Sequence, residues 1–365
     1  MHLSNQRKLD WIKVGTITIA YVLFTIFLNL LIRVVIEGAV GGELPKQFRF
    51  RLSLVGSMLT GLGAGLLLGY IFVQVNKRLF RTNSLGMALL KTAGAYAFVF
   101  LIVSGAMSLV ESVDQLNPNA TVQEIMTHAS TTFLAPAALV FFVLWGFISL
   151  MTLFMLQVYD KFGPGIMMKF ITGQYFHPKE ETRIFMFLDM RSSTSVAEQI
   201  GNEAYFLLLR DCIALLTPAI IESQGEIFQY VGDEIVISWS PKRGFKNSNC
   251  LRCYDDIQKR LNAAAPVFTN KYGLAPKFKA GLHSGLVIAG EIGEIKKDIV
   301  YSGDVLNTTA RIQGLCNEYN EDFLASSDAL SQMTEHKMFS FIPIGDIELR
   351  GRQSRVAIQA VRLSV

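Results

Sequence analysis

Cysteine is scarce in this chain and missing from its first half: Cys212, Cys250, Cys253 and Cys316 are the four it has. No disulfide framework can therefore hold the part before Cys212, and the four that exist fall in a half read below as cytoplasmic, where free thiols are expected. Cys250-x-x-Cys253 has the spacing of half a zinc site, but no second Cys or His pair lies at a suitable distance, so a helix face is the expected reading. Charge is scarce too, at 18% of 365 residues against 51% hydrophobic. An ordinary soluble enzyme carries more. The shortage lies almost wholly before Tyr159, where four stretches carry no charge at all: Val14–Ile32, Leu52–Asn76, Thr92–Val110 and Ala129–Tyr159. Each exceeds or approaches the roughly 20 residues that cross a bilayer. Spans so empty of ionisable groups also argue against an ion-translocating transporter. A net charge of +4 excludes little. Basic residues beside the spans account for it more simply than a nucleic-acid partner does.

What charge there is sets an orientation. Arg7, Lys8 and Lys13 precede the first span, Lys77, Arg78, Arg81 and Lys91 lie between the second and third, and Lys161 and Lys169 follow the fourth. The third connection carries Glu111, Asp114 and Glu124 instead. Both termini are expected in the cytoplasm, with the protein in the inner membrane; Lys46, Arg49 and Arg51 in the first connection oppose this weakly. The first span is too long for a signal-peptide core and reads as an anchor. Gly61, Gly65 and Gly69 form a small-residue stripe on the second span, which fits packing inside one bundle and dimerisation between chains equally well.

Gly163-Pro-Gly165 then breaks the helical pattern, and residues 161–181 read as a linker between a transmembrane domain over 1–160 and a compact α/β domain over 182–365. In the latter, Ile184–Asp189 reads as a strand, Ser193–Glu222 as mostly helix, and Ile227–Val231 with Ile235–Trp239 as a hairpin. Asn247–Tyr272 reads as helix, Lys277–His283 and Val287–Glu291 as strands, Asp304–Asn317 as helix, and Phe341–Leu363 as two strands. That order suggests a ferredoxin-like core. Asp189 ends an apolar strand pattern and Asp233 sits with Gly232 at a hairpin tip. Two carboxylates on neighbouring strand ends suit two divalent metals clamping a phosphoryl group.

Five motifs in order carry a family resemblance. They are Phe187-Leu-Asp-Met-Arg-Ser-Ser-Thr194, Tyr230-Val-Gly-Asp-Glu234, the glycine-rich Gly281-Leu-His-Ser-Gly285 with its continuation to Gly293, Tyr301-Ser-Gly-Asp-Val-Leu-Asn-Thr-Thr-Ala-Arg311, and Leu349-Arg-Gly-Arg352. The region from Arg183 to Val365 resembles the catalytic domain of the class III nucleotidyl cyclases. With the spans read above, the chain is expected to be an α-helical four-span transmembrane bundle followed by an α+β ferredoxin-like cyclase domain, and the resemblance implies that this domain makes 3′,5′-cyclic AMP and diphosphate from ATP. It implies two Mg2+ or Mn2+ ions per site held by Asp189 and Asp233, with the Met190 carbonyl as a further ligand. Asn307 is expected to orient the ribose and Arg311 to stabilise charge on phosphorus. Thr194 and Arg350 are expected to touch the nucleotide. Family sites lie between two catalytic domains, and this chain carries both halves of one, so a head-to-tail homodimer is expected.

The base pocket departs from the family. Adenylate-making members commonly place Lys, and guanylate-making members Glu, where this chain has Gln229. The partner position holds Val300, which cannot hydrogen-bond through its side chain. An amide can read either base, so guanylate cyclase stays open beside adenylate cyclase. A catalytically silent signalling module is the third reading, opposed by intact Asp189, Asp233, Asn307 and Arg311.

Overall fold

A backbone surrounded by uncharged side chains must satisfy its own polar groups, and the stretches before Tyr159 do so as helices. The computed structural model describes residues 5–40, 54–82, 85–116, 120–134, 136–162, 169–170, 172–333, 338–348 and 355–363. The chain forms two compact units that divide between Lys161 and Phe162. Gly163–Gly165, read as a break, and the Leu349–Arg352 motif with Arg350 lie outside the described residues.

Five helices of the first unit are described: α1 Asn5–Val40, α2 Leu54–Thr82, α3 Leu85–Gln115, α4 Val122–Phe133 and α5 Pro136–Phe162. Asp10–Leu31, Leu54–Gln74 and Ala93–Val110 are long and apolar enough to cross a membrane. The expected fourth span, Ala129–Tyr159, is divided at Pro136: its first residues end α4, and the rest lies in α5, whose 27 residues are enough to cross a bilayer. Pro136 has no N–H to continue the ladder from α4, and a new helix starts there. α4 is a capped helix in its own right, with Thr121 N–H donating to Glu124 Oε2 at 2.8 Å and Glu124 N–H to Thr121 Oγ1 at 3.4 Å. Phe142–Leu156 is an apolar stretch within α5.

The glycine stripe of α2 meets α1 of the same chain. A Cβ on Gly61 would lie 2.7 Å from Val22 Cα, and one on Gly65 2.7 Å from Thr18 Cα. Val14, Ile17 and Tyr21 bury there against Ala64, Leu68, Phe72 and Val73, and Asn29 Nδ2 donates to Ser57 Oγ at 2.9 Å. Of the two partners the sequence allowed, the stripe takes the one inside its own bundle. Because Gly65 faces backbone, which cannot rotate away, Gly65→Leu is expected to destabilise the helix pair by at least about 1–3 kcal/mol. Thermal unfolding of the full chain in detergent checks this; unchanged helix loss would remove α1 from that groove.

In the second unit the strands are β1 Lys179–Met190, β2 Glu226–Val231, β3 Glu234–Trp239, β4 Phe278–Ile292, β5 Asp298–Ser302, β6 Phe323–Ser326, β7 Phe339–Ile347 and β8 Val356–Leu363. The sheet runs β2-β3-β1-β4-β6-β8-β7, with β5 paired to β4. Its β2-β3-β1-β4 core is antiparallel throughout, which is the ferredoxin-like arrangement the element order suggested. The two strands expected around Gly281–Gly285 are one strand, β4, and the polar end of the expected linker, Lys179–Glu181, is already β1 paired to β4. The expected single helix over Ser193–Glu222 is two, α6 Ser193–Ile200 and α7 Asn202–Glu222, separated at Gly201 with φ +82°.

α7 and α8 (Asn249–Tyr272) cover one face of the sheet. α7 is a fourth helix long and apolar enough to cross a membrane, but Leu208, Cys212, Leu216, Ala219 and Ile220 pack in a core with Ile184, Met186 and Leu188 of β1. That stripe is already covered, so α7 reads as a core helix. Cys250 and Cys253 are buried on α8 and all four cysteines are free, as the helix-face reading expected. α9, Asp304–Gly314, covers the other face with Val305, Leu306 and Ala310 against Phe185, Phe187, Val236 and Val287.

Candidate active site

β1 is apolar on both faces because both are covered, and Asp189 is the first acid beyond its core stretch. The register Leu188↔Ile235 brings that strand end beside the β2–β3 turn. There Gly232 takes φ +63°, a value glycine accepts freely as the first central residue of a two-residue hairpin. The turn presents Asp233. Burial, then the neighbouring Asp233 carboxylate, push the Asp189 carboxyl up, while Gln313 and Lys279 pull it down. Burial, then Asp189 and Asp233, push Glu234 up to about 7. Gln313 Nε2 donates to Asp189 Oδ2 at 2.8 Å, and Lys279 Nζ lies 3.4 Å from the same oxygen. Asp233 Oδ2 is buried with no hydrogen-bond partner. An unpaired buried oxygen of that kind is costly unless a ligand takes it up. An all-oxygen corner of two aspartates fits a hard divalent cation such as Mg2+ or Mn2+. Among the described residues no group of three or more His, Cys, Asp and Glu is arranged to hold a metal, so the donors here are a pair.

α9 sits low on the sheet because β4 offers glycine beneath it. A Cβ on Gly281 would collide with the backbone of Gln313, and one on Gly285 would lie 2.6 Å from Val305 Cγ2. Asn307 and Arg311, four apart, share one side of α9. Asn307 is exposed and Arg311 half-buried, and Arg311 Nη1 has no partner. Gln313, two residues on, is about 200° round the helix from Arg311. The side of α9 that bonds this chain's Asp189 is therefore not the side that presents Asn307 and Arg311.

Gln229 is exposed on β2. Ile227 pairs with Ile237 but Gln229 pairs with Val236, so Phe228 is an extra residue in the ladder. This bulge turns Gln229 onto the face of Val236, Asp189 and α9. Val300 is half-buried on β5 opposite Gly290. Met190 is buried at the end of β1, paired with Phe278. Thr194 is exposed in the first turn of α6. The turn before α6 is held by Arg191, whose Nε donates to Asp322 Oδ1 at 2.7 Å and Nη2 to the Glu321 carbonyl at 2.7 Å.

Four polar residues of this face escaped the sequence reading: Lys279, Gln313, Glu234 and Arg183. A lysine inside the apolar run Phe278–Leu282 was the available signal for the first. Arg183 Nε donates to Glu181 Oε1 at 2.7 Å, Nη1 to Glu226 Oε2 at 3.3 Å and Nη2 to the Tyr175 hydroxyl at 3.3 Å. Its guanidinium also lies over the Tyr301 ring, 4.9 Å from the centroid.

This chain is 35% identical over 206 residues to adenylate cyclase 2 of Rhizobium meliloti (strain 1021), covering 56% of this chain and 57% of that one. It is 28% identical over 185 residues to an adenylate cyclase of Anabaena cylindrica, covering 48% of this chain and 36% of that one. It thus spans only part of the length of these relatives. A solved bacterial light-regulated adenylyl cyclase shares the fold at TM-score 0.53 and 19% identity, over 63% of this chain and 67% of that one. Residues 176–360, just over half of the chain, match the adenylate and guanylate cyclase catalytic domain, and the chain belongs to that family.

Proposed function

We propose that this chain is a membrane-anchored adenylate cyclase that works as a head-to-tail homodimer with its catalytic unit in the cytoplasm. The observation that carries the reading is the pair of unmet polar atoms, Asp233 Oδ2 beside Asp189, and Arg311 Nη1 one helical turn from Asn307 on the other side of α9. Asp189, Asp233 and the Met190 carbonyl are the residues that would hold two divalent ions, and triphosphate oxygens complete the donor set. Such ions, when bound, lower the pKa of the ribose 3′-hydroxyl and neutralise the triphosphate. Asn307 orients the ribose. The 3′-oxygen loses its proton and bonds to the α-phosphorus, the bond from that phosphorus to the bridging oxygen breaks, and diphosphate leaves. Arg311 offers a planar fork of donors to the charge that gathers on phosphorus. Its placement on the side of α9 away from this chain's own Asp189 supports a site completed by a second copy. Thr194 and Arg350 are proposed nucleotide contacts. The apolar helices of the first unit are proposed to anchor the enzyme, with the basic residues around them setting the orientation.

ATP is favoured because the relatives above are named adenylate cyclases. The guanylate alternative rests on Gln229, whose amide offers a donor and an acceptor and can turn to suit guanine. The test is product analysis of the full chain with ATP and GTP in separate reactions. ATP is expected to be preferred by only roughly tenfold to a hundredfold, the worth of one good hydrogen bond. Gln229→Lys should sharpen that preference, and Gln229→Glu should shift it toward GTP. A specificity ratio unmoved by both replacements would show that Gln229 does not read the base.

A further inference from the structure

Lys279 has no part in the mechanism above, yet its position is demanding. It is 7% exposed on β4, directly across the ladder from Asp189. Long charged side chains are rarely buried this far without a specific partner. Its partner is Asp189 Oδ2 at 3.4 Å, the same oxygen that accepts from Gln313 at 2.8 Å. Two groups of this chain thus occupy one oxygen of one carboxylate, while Asp233 Oδ2 is left without any. Asp189, Asp233 and Glu234 crowd one corner of the sheet, and Lys279 is a cation close enough to act on both Asp189 and Glu234. Repulsion among three carboxylates would strain that corner if nothing offset it.

We propose that Lys279 is a resident counter-ion of the carboxylate corner: it holds the corner together while no divalent ion is bound, and by repulsion it weakens the grip on the ion that arrives. This rests on Asp189 and Asp233 being metal ligands. It makes cation binding an exchange rather than a simple addition. A divalent ion has to compete with a tethered ammonium that cannot diffuse away, so the site stays loose until the triphosphate brings further oxygen donors. Gln313 then has a separate task. It fixes one oxygen of Asp189 without adding charge.

The test uses the full chain in detergent without nucleotide, titrated with Mn2+ and read by the electron paramagnetic resonance signal of the free ion. Thermal unfolding in chelator runs alongside. Lys279→Met and Lys279→Gln are each expected to bind Mn2+ about tenfold more tightly, the scale of removing one nearby unit charge at a partly buried site. Both should unfold at lower temperature in chelator and gain more from added Mn2+ than the wild type. Gln313→Leu frees the same Asp189 oxygen without changing the charge, and it should not tighten binding. Equal or weaker Mn2+ binding by the two Lys279 variants, or equal tightening by Gln313→Leu, overturns the proposal. If Lys279→Met does not hold its fold in chelator, recovery on adding Mn2+ supports the proposal and failure to recover overturns it. Asp233→Asn in the same titration separates the two readings. Binding by the wild type that Asp233→Asn abolishes keeps the metal assignment whatever Lys279 does, whereas binding indifferent to Asp233→Asn removes both.

Discussion

Co-expressed Asp189→Ala and Arg311→Ala chains are expected to recover cyclase activity that neither has alone. Each variant by itself should lose at least about 10²–10³-fold in kcat, because under the proposed mechanism one removes charge from the metal site and the other a donor to the transition state. Neither should unfold the catalytic unit, since Asp189 lies at a strand end and Arg311 is half-buried. A dimer of one variant with the other has one intact site and one doubly damaged site. With random pairing, half of the dimers are mixed and roughly a quarter of wild-type activity returns. Demonstrated mixed dimers without activity would move both halves of the site into a single chain.

Arg183→Met should cost about 3–5 kcal/mol of stability in the catalytic unit, the usual result of removing one partner from a buried ion cluster. The Arg183 side chain is only 5% exposed and joins Glu181, Glu226 and the Tyr175 hydroxyl. Lys169 and Arg243 also reach Glu226, at 2.9 and 3.4 Å, but among the described residues Glu181 would keep only the Tyr175 hydroxyl. Hydrogen exchange of the β1 and β2 amides in the full chain is the measurement, and exchange slowed or unchanged would reduce the cluster to ornament. Catalysis should suffer as well. Glu226 lies three residues before Gln229 and Tyr301 directly follows Val300, so both strands of the proposed base pocket hang on this guanidinium.

The carboxylate corner was legible in the sequence because it follows from one-dimensional rules. A β-branched and aromatic run ending in Asp189 and a Gly-Asp pair between two alternating runs each specify a strand end. The α7 and α8 core helices were legible for the same reason, through apolar spacing. What escaped depends on pairing. The sequence of β4 reads as two strands because glycines weaken its pattern, and only α9 pressing on Gly281 and Gly285 explains why they are there. The extra residue at Phe228 is visible only in the β2–β3 register. Lys279 and Gln313 are polar residues on apolar elements whose reason is Asp189, 90 and 124 positions away in the chain. Pro136 was a plain signal to break the fourth apolar stretch, and an unbroken absence of charge concealed it.

The extra residue at Phe228 also decides where a change of strand length would be absorbed. Gln229↔Val236, Tyr230↔Ile235 and Val231↔Glu234 are counted from the Gly232–Asp233 tip, whereas Ile227↔Ile237 and Glu226↔Ser238 lie beyond the bulge. Gln229 and Asp233 thus share one uninterrupted stretch of ladder, and an insertion or deletion at Phe228 would be taken up on the Glu226 side. The proposed base reader and the carboxylate at the tip are held in one common register, shielded from changes that enter the hairpin at its open end.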